Sequence, residues 1–235
     1  MRFSNPVFVA LDTPDLSRAL AVAQAVKPYV GGLKVGLEFL SALGPDGLRR
    51  IAEIGLPLFA DTKFHDIPNT VAGAARATAM LGVAMFNIHA SGGEAMMRAA
   101  AEAIVDIHPR PLLIAVTVLT SLDDAALGAV GQQAPAAAQV ERLAVLAKKS
   151  GLDGVVCSAH ELAVVRRACG PDFLTVVPGI RPAGGEAGDQ KRVMTPAQAR
   201  AAGADILVIG RPITAAPDPA AAARAITQEL VGTGT

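Results

Sequence analysis

LPLFADTKFHDIPNT, residues 56–70, is the stretch on which the fold and the chemistry both turn. It opens as an apolar run and closes on Ile67-Pro68-Asn69-Thr70, a turn and a helix start. Between these ends stand three charges, Asp61, Lys63 and Asp66. Side chains alternate faces along an extended strand, so Asp61 and Lys63 are expected on one face and Thr62 on the other. Charges on a buried face are costly unless paired or neutralised. Taken alone, Asp-x-Lys reads as a structural ion pair, since such pairs also arise without function. The rest of the chain changes that weighting.

Short apolar runs recur on either side of it: 7–11, 32–36, 84–89, 112–119, 154–158, 173–179 and 205–210, with 56–61 making eight. Near-continuous hydrophobicity in short, β-branched runs marks parallel strands covered on both faces. Helical segments lie between them. Thr13-Pro14 and Thr195-Pro196 each read as an N-cap followed by proline at the first helical position. Ser158 with Glu161 reads as a capping box, and Gly55 and Gly82 fall where the second and third helices should end. Eight strand-then-helix units in 235 residues fit one α/β domain, a single (β/α)8 TIM barrel over residues 1–235. An open doubly wound sheet is the rival, but no G-x-G-x-x-G follows the first strand. The terminal GTGT, 232–235, is expected to fray.

Composition narrows the function classes. Apolar residues make up 51% of the chain and charged residues 18%, as in a well-buried globular enzyme. Lys+Arg and Asp+Glu both number 21, so nothing draws the whole chain to nucleic acid or an anionic membrane. The opening MRFSNPVFVALD is too short in apolar residues for a signal peptide, and no run approaches a membrane span. A cytoplasmic location is expected. Cys157 and Cys169 have no metal-ligand spacing and read as buried small hydrophobes. His65, His89, His108 and His160 show no metal pattern, so no metal is expected; His65 and His89 read as structural neighbours of the mouth.

Chemistry in such a barrel gathers at the C-terminal strand ends. The polar residues there are Asp12, Lys34, Asp61, Lys63, His89, Thr120, Arg181 and Gly210-Arg211. Asp12, Lys34, Asp61 and Lys63 alternate in sign over three neighbouring strands, as a buried ionic cluster requires. Four charges at one mouth favour catalysis, with Lys63 able to deliver a proton to a developing carbanion. The loop 179–194 is long, glycine-rich and carries Arg181, Gln190, Lys191 and Arg192. With Gly210-Arg211 after the last strand it suits a phosphate.

At DTKFHDIPNT, with VALD at 9–12, GLKVG at 32–36, VTVLTS at 116–121, VVPGIRP at 176–182 and VIGRPI at 208–213, the chain resembles the orotidine 5′-phosphate decarboxylase family in its bacterial branch. That resemblance implies decarboxylation of orotidine 5′-phosphate to UMP without a cofactor. Lys63 would protonate carbon 6 of the pyrimidine, Asp61 would lie beside the substrate carboxylate, and Lys34 and Asp12 would contact the ribose and complete the array. Asp66 and Thr70 would reach across a homodimer interface into the partner's site, with Ile67 among the substrate-binding residues. Thr120 would bind the pyrimidine and Gln190 would bridge base and phosphate. Arg181, Gly210 and Arg211 would hold the phosphate as the loop closes. One departure is that the sole tyrosine is Tyr29, so the loop lacks the tyrosine some relatives place over the phosphate.

Two other readings compete. Magnesium-dependent sugar-phosphate decarboxylases or synthases of the same barrel group resemble the Asp-x-Lys-x-x-Asp strand, but IPNT and VTVLTS favour the pyrimidine enzyme. A catalytically silent phosphate-metabolite sensor would be expected to have lost part of the array, and every member stands.

Overall fold

A computed structural model describes residues 3–182 and 194–232. Eight strands run in chain order: β1 (Val7–Ala10), β2 (Gly32–Val35), β3 (Leu58–Phe64), β4 (Met85–His89), β5 (Leu112–Val116), β6 (Gly154–Val156), β7 (Leu174–Val177) and β8 (Ile206–Ile209). Each is parallel to the next, and β8 returns to β1, closing the (β/α)8 barrel. Closure leaves no strand edge to cap. The helices are α1 (Leu16–Val26), α2 (Leu37–Ala52), α3 (Pro68–Ala79), α4 (Gly93–Glu102), α5 (Asp124–Ala129), α6 (Ala136–Lys149), α7 (Leu162–Cys169), α8 (Pro196–Ala201), α9 (Arg211–Thr214) and α10 (Pro219–Gly232).

Strand periodicity divides the apolar residues between two cores. In β1, Val7 and Val9 pack outward against the helices, while Phe8 and Ala10 face the barrel interior. The interior is filled by Phe8, Phe59, Met85, Ile114, Leu174, Val176, Ile206 and Val208. At its floor Phe3 meets Phe8 edge-on, ring centroids 5.2 Å apart. Ionic networks tie the strand starts together. Arg110 pairs with Asp153, and Arg166 donates to Asp205, Thr175 Oγ1 and the carbonyls of Phe173 and Gly203.

The local signals are largely present. Thr195 and Ser158 each form a full capping box, and both cysteines are buried. Gly55 and Gly82 lie just past α2 and α3 at positive φ, 80° and 74°, where a side chain would be strained. The start of α1 differs from expectation. Asp15 caps it, its carboxylate accepting from Arg18 N at 3.1 Å, and Thr13 Oγ1 accepts only from Asp15 N. A carboxylate at a helix N-terminus is the better acceptor for the exposed N–H groups, which moves Pro14 outside the helix.

β5 also stops at Val116, short of the apolar run 112–119. Thr117 turns the chain there by donating through its N–H and its hydroxyl to the Val156 carbonyl, the latter at 2.8 Å. Val118, Leu119 and Thr120 therefore belong to the rim. α5 and α9 are extra helices inserted in the loops after β5 and β8. Gly232, expected in a frayed tail, is the last residue of α10; 233–235 lie outside the described residues.

Gly154 marks the tightest strand contact. A Cβ there would sit 2.2 Å from the Leu174 carbonyl oxygen on β7, its register partner. Gly154→Ala is expected to cost at least about 1–3 kcal/mol, since backbone must shift to admit the methyl group. Urea unfolding of the two proteins, compared by midpoint at constant slope, measures it.

Candidate active site

Two strands, β2 and β3, and the loop after β1 bring the array together. Lys34 takes an inward position on β2, in register between Ala10 and Phe59, so its stem runs up through the barrel interior. Its ammonium meets Asp12 Oδ1 at 3.0 Å and Asp61 Oδ2 at 3.2 Å. Asp61 presents its other oxygen, Oδ1, to Lys63 Nζ at 2.6 Å. The order Asp12–Lys34–Asp61–Lys63 alternates in sign, as expected. Gly36 leaves the space for it, because a Cβ there would lie 2.8 Å from Asp12 Oδ1 and 3.0 Å from Lys34 Nζ.

Burial and pairing oppose each other at the two inner members. Burial by itself would raise the Asp61 pKa, but the Lys34 and Lys63 ammoniums, with hydrogen bonds from Lys63 and Asn87, hold it below the ordinary 3.8. Burial would likewise lower that of Lys34, and the charges and hydrogen bonds of Asp61 and Asp12 outweigh it, raising it above 10.5. Both stay ionised at neutral pH. Removing one member of such a buried pair costs about 3–5 kcal/mol, because the remaining charge is stranded.

The route by which Lys63 reaches Asp61 differs from simple alternation. Lys63 has φ of +51°, left-handed backbone that a non-glycine residue adopts at a cost of about 1–3 kcal/mol. The β3–β4 register shifts between Ala60 and Phe64 at the same place. Asn87, on the inward face of β4 and fully buried, is tied to all three residues of the irregularity. Its Nδ2 donates to Asp61 Oδ1 at 2.7 Å, its Oδ1 accepts from Lys63 N at 2.7 Å, and its backbone carbonyl accepts from Thr62 Oγ1 at 2.6 Å. Reading the sequence did not single out Asn87. The signal was an amide at an inward position of the otherwise apolar run AMFNI, 84–88.

A cavity of about 430 Å³ opens over the array, lined by Asp12, Lys34, Asp61, Lys63, Thr120, Arg181, Gly210 and Arg211 together with apolar residues such as Phe59, Val156 and Val176. The charged row lies at one side and the two arginines contribute cationic groups. Arg181 is buried, its Nη1 donating to the Ile180 carbonyl at 2.9 Å. Burial, and then the nearby Arg211 charge, lower its pKa from the usual arginine value, so an anion would be favoured between them. The ends of the long loop are joined, Ile180 bridging Met194 and Arg181 N donating to the Met194 carbonyl at 3.1 Å. Gln190, Lys191 and Arg192 lie outside the described residues.

Asp66, Ile67 and Thr70 are not brought into this cavity. They are exposed at the start of α3, where Asp66 Oδ1 accepts from Ile67 N at 2.7 Å. His65 and His89 stack with centroids 5.5 Å apart beside the array. Burial first, then His65 and Lys63, lower the His89 pKa below 6.5. Among the described residues no group of three His, Cys, Asp or Glu is arranged to hold a metal ion.

The family model described as orotidine 5′-phosphate decarboxylase / HUMPS matches residues 5–226, nearly the whole barrel and every member of the array. The chain belongs to this family. Its similarity to family members is high along its length. It is 57% identical over 232 residues to an orotidine 5′-phosphate decarboxylase of Paramagnetospirillum magneticum, covering 96% of this chain and 98% of the relative. With one of Moorella thermoacetica it shares 56% over 236 residues, covering 98% and 94%. A crystal structure of an orotidine 5′-phosphate decarboxylase from Lactobacillus acidophilus superposes with a TM-score of 0.84 at 39% identity, covering 97% of this chain and 99% of that one.

For this orotidine 5′-phosphate decarboxylase / HUMPS family barrel the Asp61 pairing predicts a specific acid response. A carboxyl whose folded pKa is depressed stabilises fully above the unfolded value near 3.8 and loses that contribution as pH falls through the lowered one. The stability difference between wild type and Asp61→Asn should therefore be constant near neutrality and shrink only below pH 3.8. Urea unfolding midpoints across an acid pH series measure it.

Proposed function

We propose that this protein converts orotidine 5′-phosphate to UMP and carbon dioxide, with the Asp12–Lys34–Asp61–Lys63 array as the reacting centre. The observation that carries the reading is the geometry at Asp61. A largely buried carboxylate holds an ammonium at 2.6 Å at the mouth of a cavity whose lining includes two arginines suited to a phosphate. The family membership and the names of its near relatives support the same activity.

In this mechanism the phosphate and ribose supply binding energy remote from the reacting carbon. Arg181, Gly210 and Arg211 hold the phosphate, Gln190 bridges it to the base, and Thr120 contacts the pyrimidine. Asp12 and Lys34 engage the ribose. The substrate carboxylate lies against Asp61, and as the carbon–carbon bond breaks its electron pair remains on carbon 6. The Lys63 ammonium stabilises that charge and then transfers its proton there. Fixed charges aimed at a developing anion are usually the largest single contribution to such catalysis. No step requires a metal or cofactor. A cytoplasmic setting belongs to the same proposal, supported by two buried free cysteines of the kind found in reducing compartments.

The proposal includes a homodimer in which Asp66, Ile67 and Thr70 complete the partner's site. Its support is their exposure away from their own chain's cavity, with Ile67 presenting an apolar side chain 67% exposed.

Two measurements test these readings. Lys63→Ala should lose nearly all turnover yet still bind UMP, while wild-type turnover, followed by loss of orotidylate absorbance, should persist in excess EDTA. Loss of activity in the chelator would favour the magnesium-dependent sugar-phosphate enzymes of the family. Tight UMP binding without turnover by the wild type would favour a silent sensor. For the dimer, Lys63→Ala and Asp66→Ala are each expected to be severely impaired alone, and mixing them under exchange should restore activity through hybrids carrying one intact site. No restoration despite exchange would remove the shared-site arrangement.

A further inference from the structure

We propose that Asn87 is the positioning residue of the proton donor: its side-chain amide grips the Lys63 backbone and the Asp61 carboxylate together, and so sets where the ammonium points. The inference rests on the reading of Lys63 as that donor.

The argument starts from what a lysine lacks. Its charge sits on a flexible four-carbon stem with rotatable donors, so nothing intrinsic aims it. Proton delivery demands the donor near contact distance from the carbon, in line with the forming bond. Two things can aim it, the direction in which the side chain leaves the backbone and the anion that holds its tip. Asn87 acts on both. Its Oδ1 accepts from Lys63 N at 2.7 Å at the residue whose φ is +51°, and so supports the departure from regular strand backbone. Its Nδ2 donates at 2.7 Å to Asp61 Oδ1, the same oxygen that receives Lys63 Nζ. Rotation of the carboxylate would break that bond, so the anchor of the ammonium is held as well.

A buried asparagine can equally be a satisfied core residue with no bearing on chemistry. Three observations weigh against that here. Asn87 is fully buried on the inward face of β4, one inward position beyond the apolar Met85. Both bonds of its amide go to the charged segment of β3. Thr62 between those two residues is fastened to the Asn87 carbonyl, so one residue of β4 spans the whole irregularity.

The experiment compares wild type, Asn87→Ala and Asn87→Asp. It measures kcat per titrated UMP-binding site, KM and their pH profiles, so that loss of folded protein does not count as loss of rate. Asn87→Ala removes both bonds and should lower kcat about 10- to 100-fold, the range expected for losing one hydrogen bond to a charged group. KM should change little, because the phosphate end is untouched.

Asn87→Asp preserves the shape. Its ionised carboxylate would repel Asp61, but its protonated form can donate to Asp61 and still accept from Lys63 N. The kcat of Asn87→Asp relative to wild type should therefore recover as pH falls, while that of Asn87→Ala should not. Lys34 and Lys63 touch Asp61, Asp12 holds Lys34, and His65 and His89 stack beside the row; all three proteins share these groups, so the comparison isolates position 87.

A wild-type kcat per site in Asn87→Ala, or identical pH profiles for the two variants, would overturn the proposal. Should Asn87→Ala yield no binding sites, the acid recovery of Asn87→Asp decides by itself. Absence of orotidine 5′-phosphate turnover by the wild type would overturn the proposed activity, and this inference with it.

Discussion

An anion withdrawn from water has to be surrounded, and the mouth of this barrel is arranged around that requirement at Asp61. One oxygen takes Lys63 Nζ and Asn87 Nδ2, the other takes Lys34 Nζ, and Lys34 is balanced in turn by Asp12. Meeting the requirement draws on β2, β3, β4 and the loop after β1. It also explains why Gly36 carries no side chain and why Lys63 is held in backbone that lysine otherwise avoids. The same pairing keeps the carboxylate charged in a place that burial alone would make hostile to it. Under the proposed reaction, stability and chemistry are thus coupled at one group.

The barrel separates tasks along its axis. The ionic networks of Arg110–Asp153 and Arg166–Asp205 clamp the strand starts, whereas the Asp12–Lys34–Asp61–Lys63 row occupies the opposite end. Between them lies an apolar plug of Phe8, Phe59, Met85 and Ile114. Lys34 crosses from this plug into the mouth, its stem among apolar neighbours and its charge among acids. Residues at the mouth can therefore vary in chemistry over a frame secured elsewhere, as is general for this architecture.

Much of the molecule was legible from sequence because its signals are local. Eight apolar runs, Thr195-Pro196 and Ser158 with Glu161 each declare a strand or a helix start through neighbouring residues alone. The charge row was legible for a related reason, since charges stand out in apolar runs. What escaped depended on contacts across strands. Alternation placed Lys63 on the correct side but presumed regular register, and the left-handed turn is supported by a residue 24 positions away. Asn87 passed as part of an apolar run because only its partners on β3 reveal its use. Thr13 was read as the cap of α1, and the carboxylate of Asp15 takes that place instead. The grouping of Asp66, Ile67 and Thr70 with the site came from family resemblance, because in a single chain they face solvent.

The aromatic pair Phe3–Phe8 gives the barrel a floor, and the interior above it is a packed core rather than a pore among the described residues. Under the proposed reaction the site is a cul-de-sac. The nucleotide must enter by the rim, and the gas released at its deepest point must leave by the same doorway. The order in which the two products depart is then a matter of traffic at one opening. The small, neutral molecule can slip past a seated nucleotide, whereas the nucleotide cannot go until its phosphate is let go.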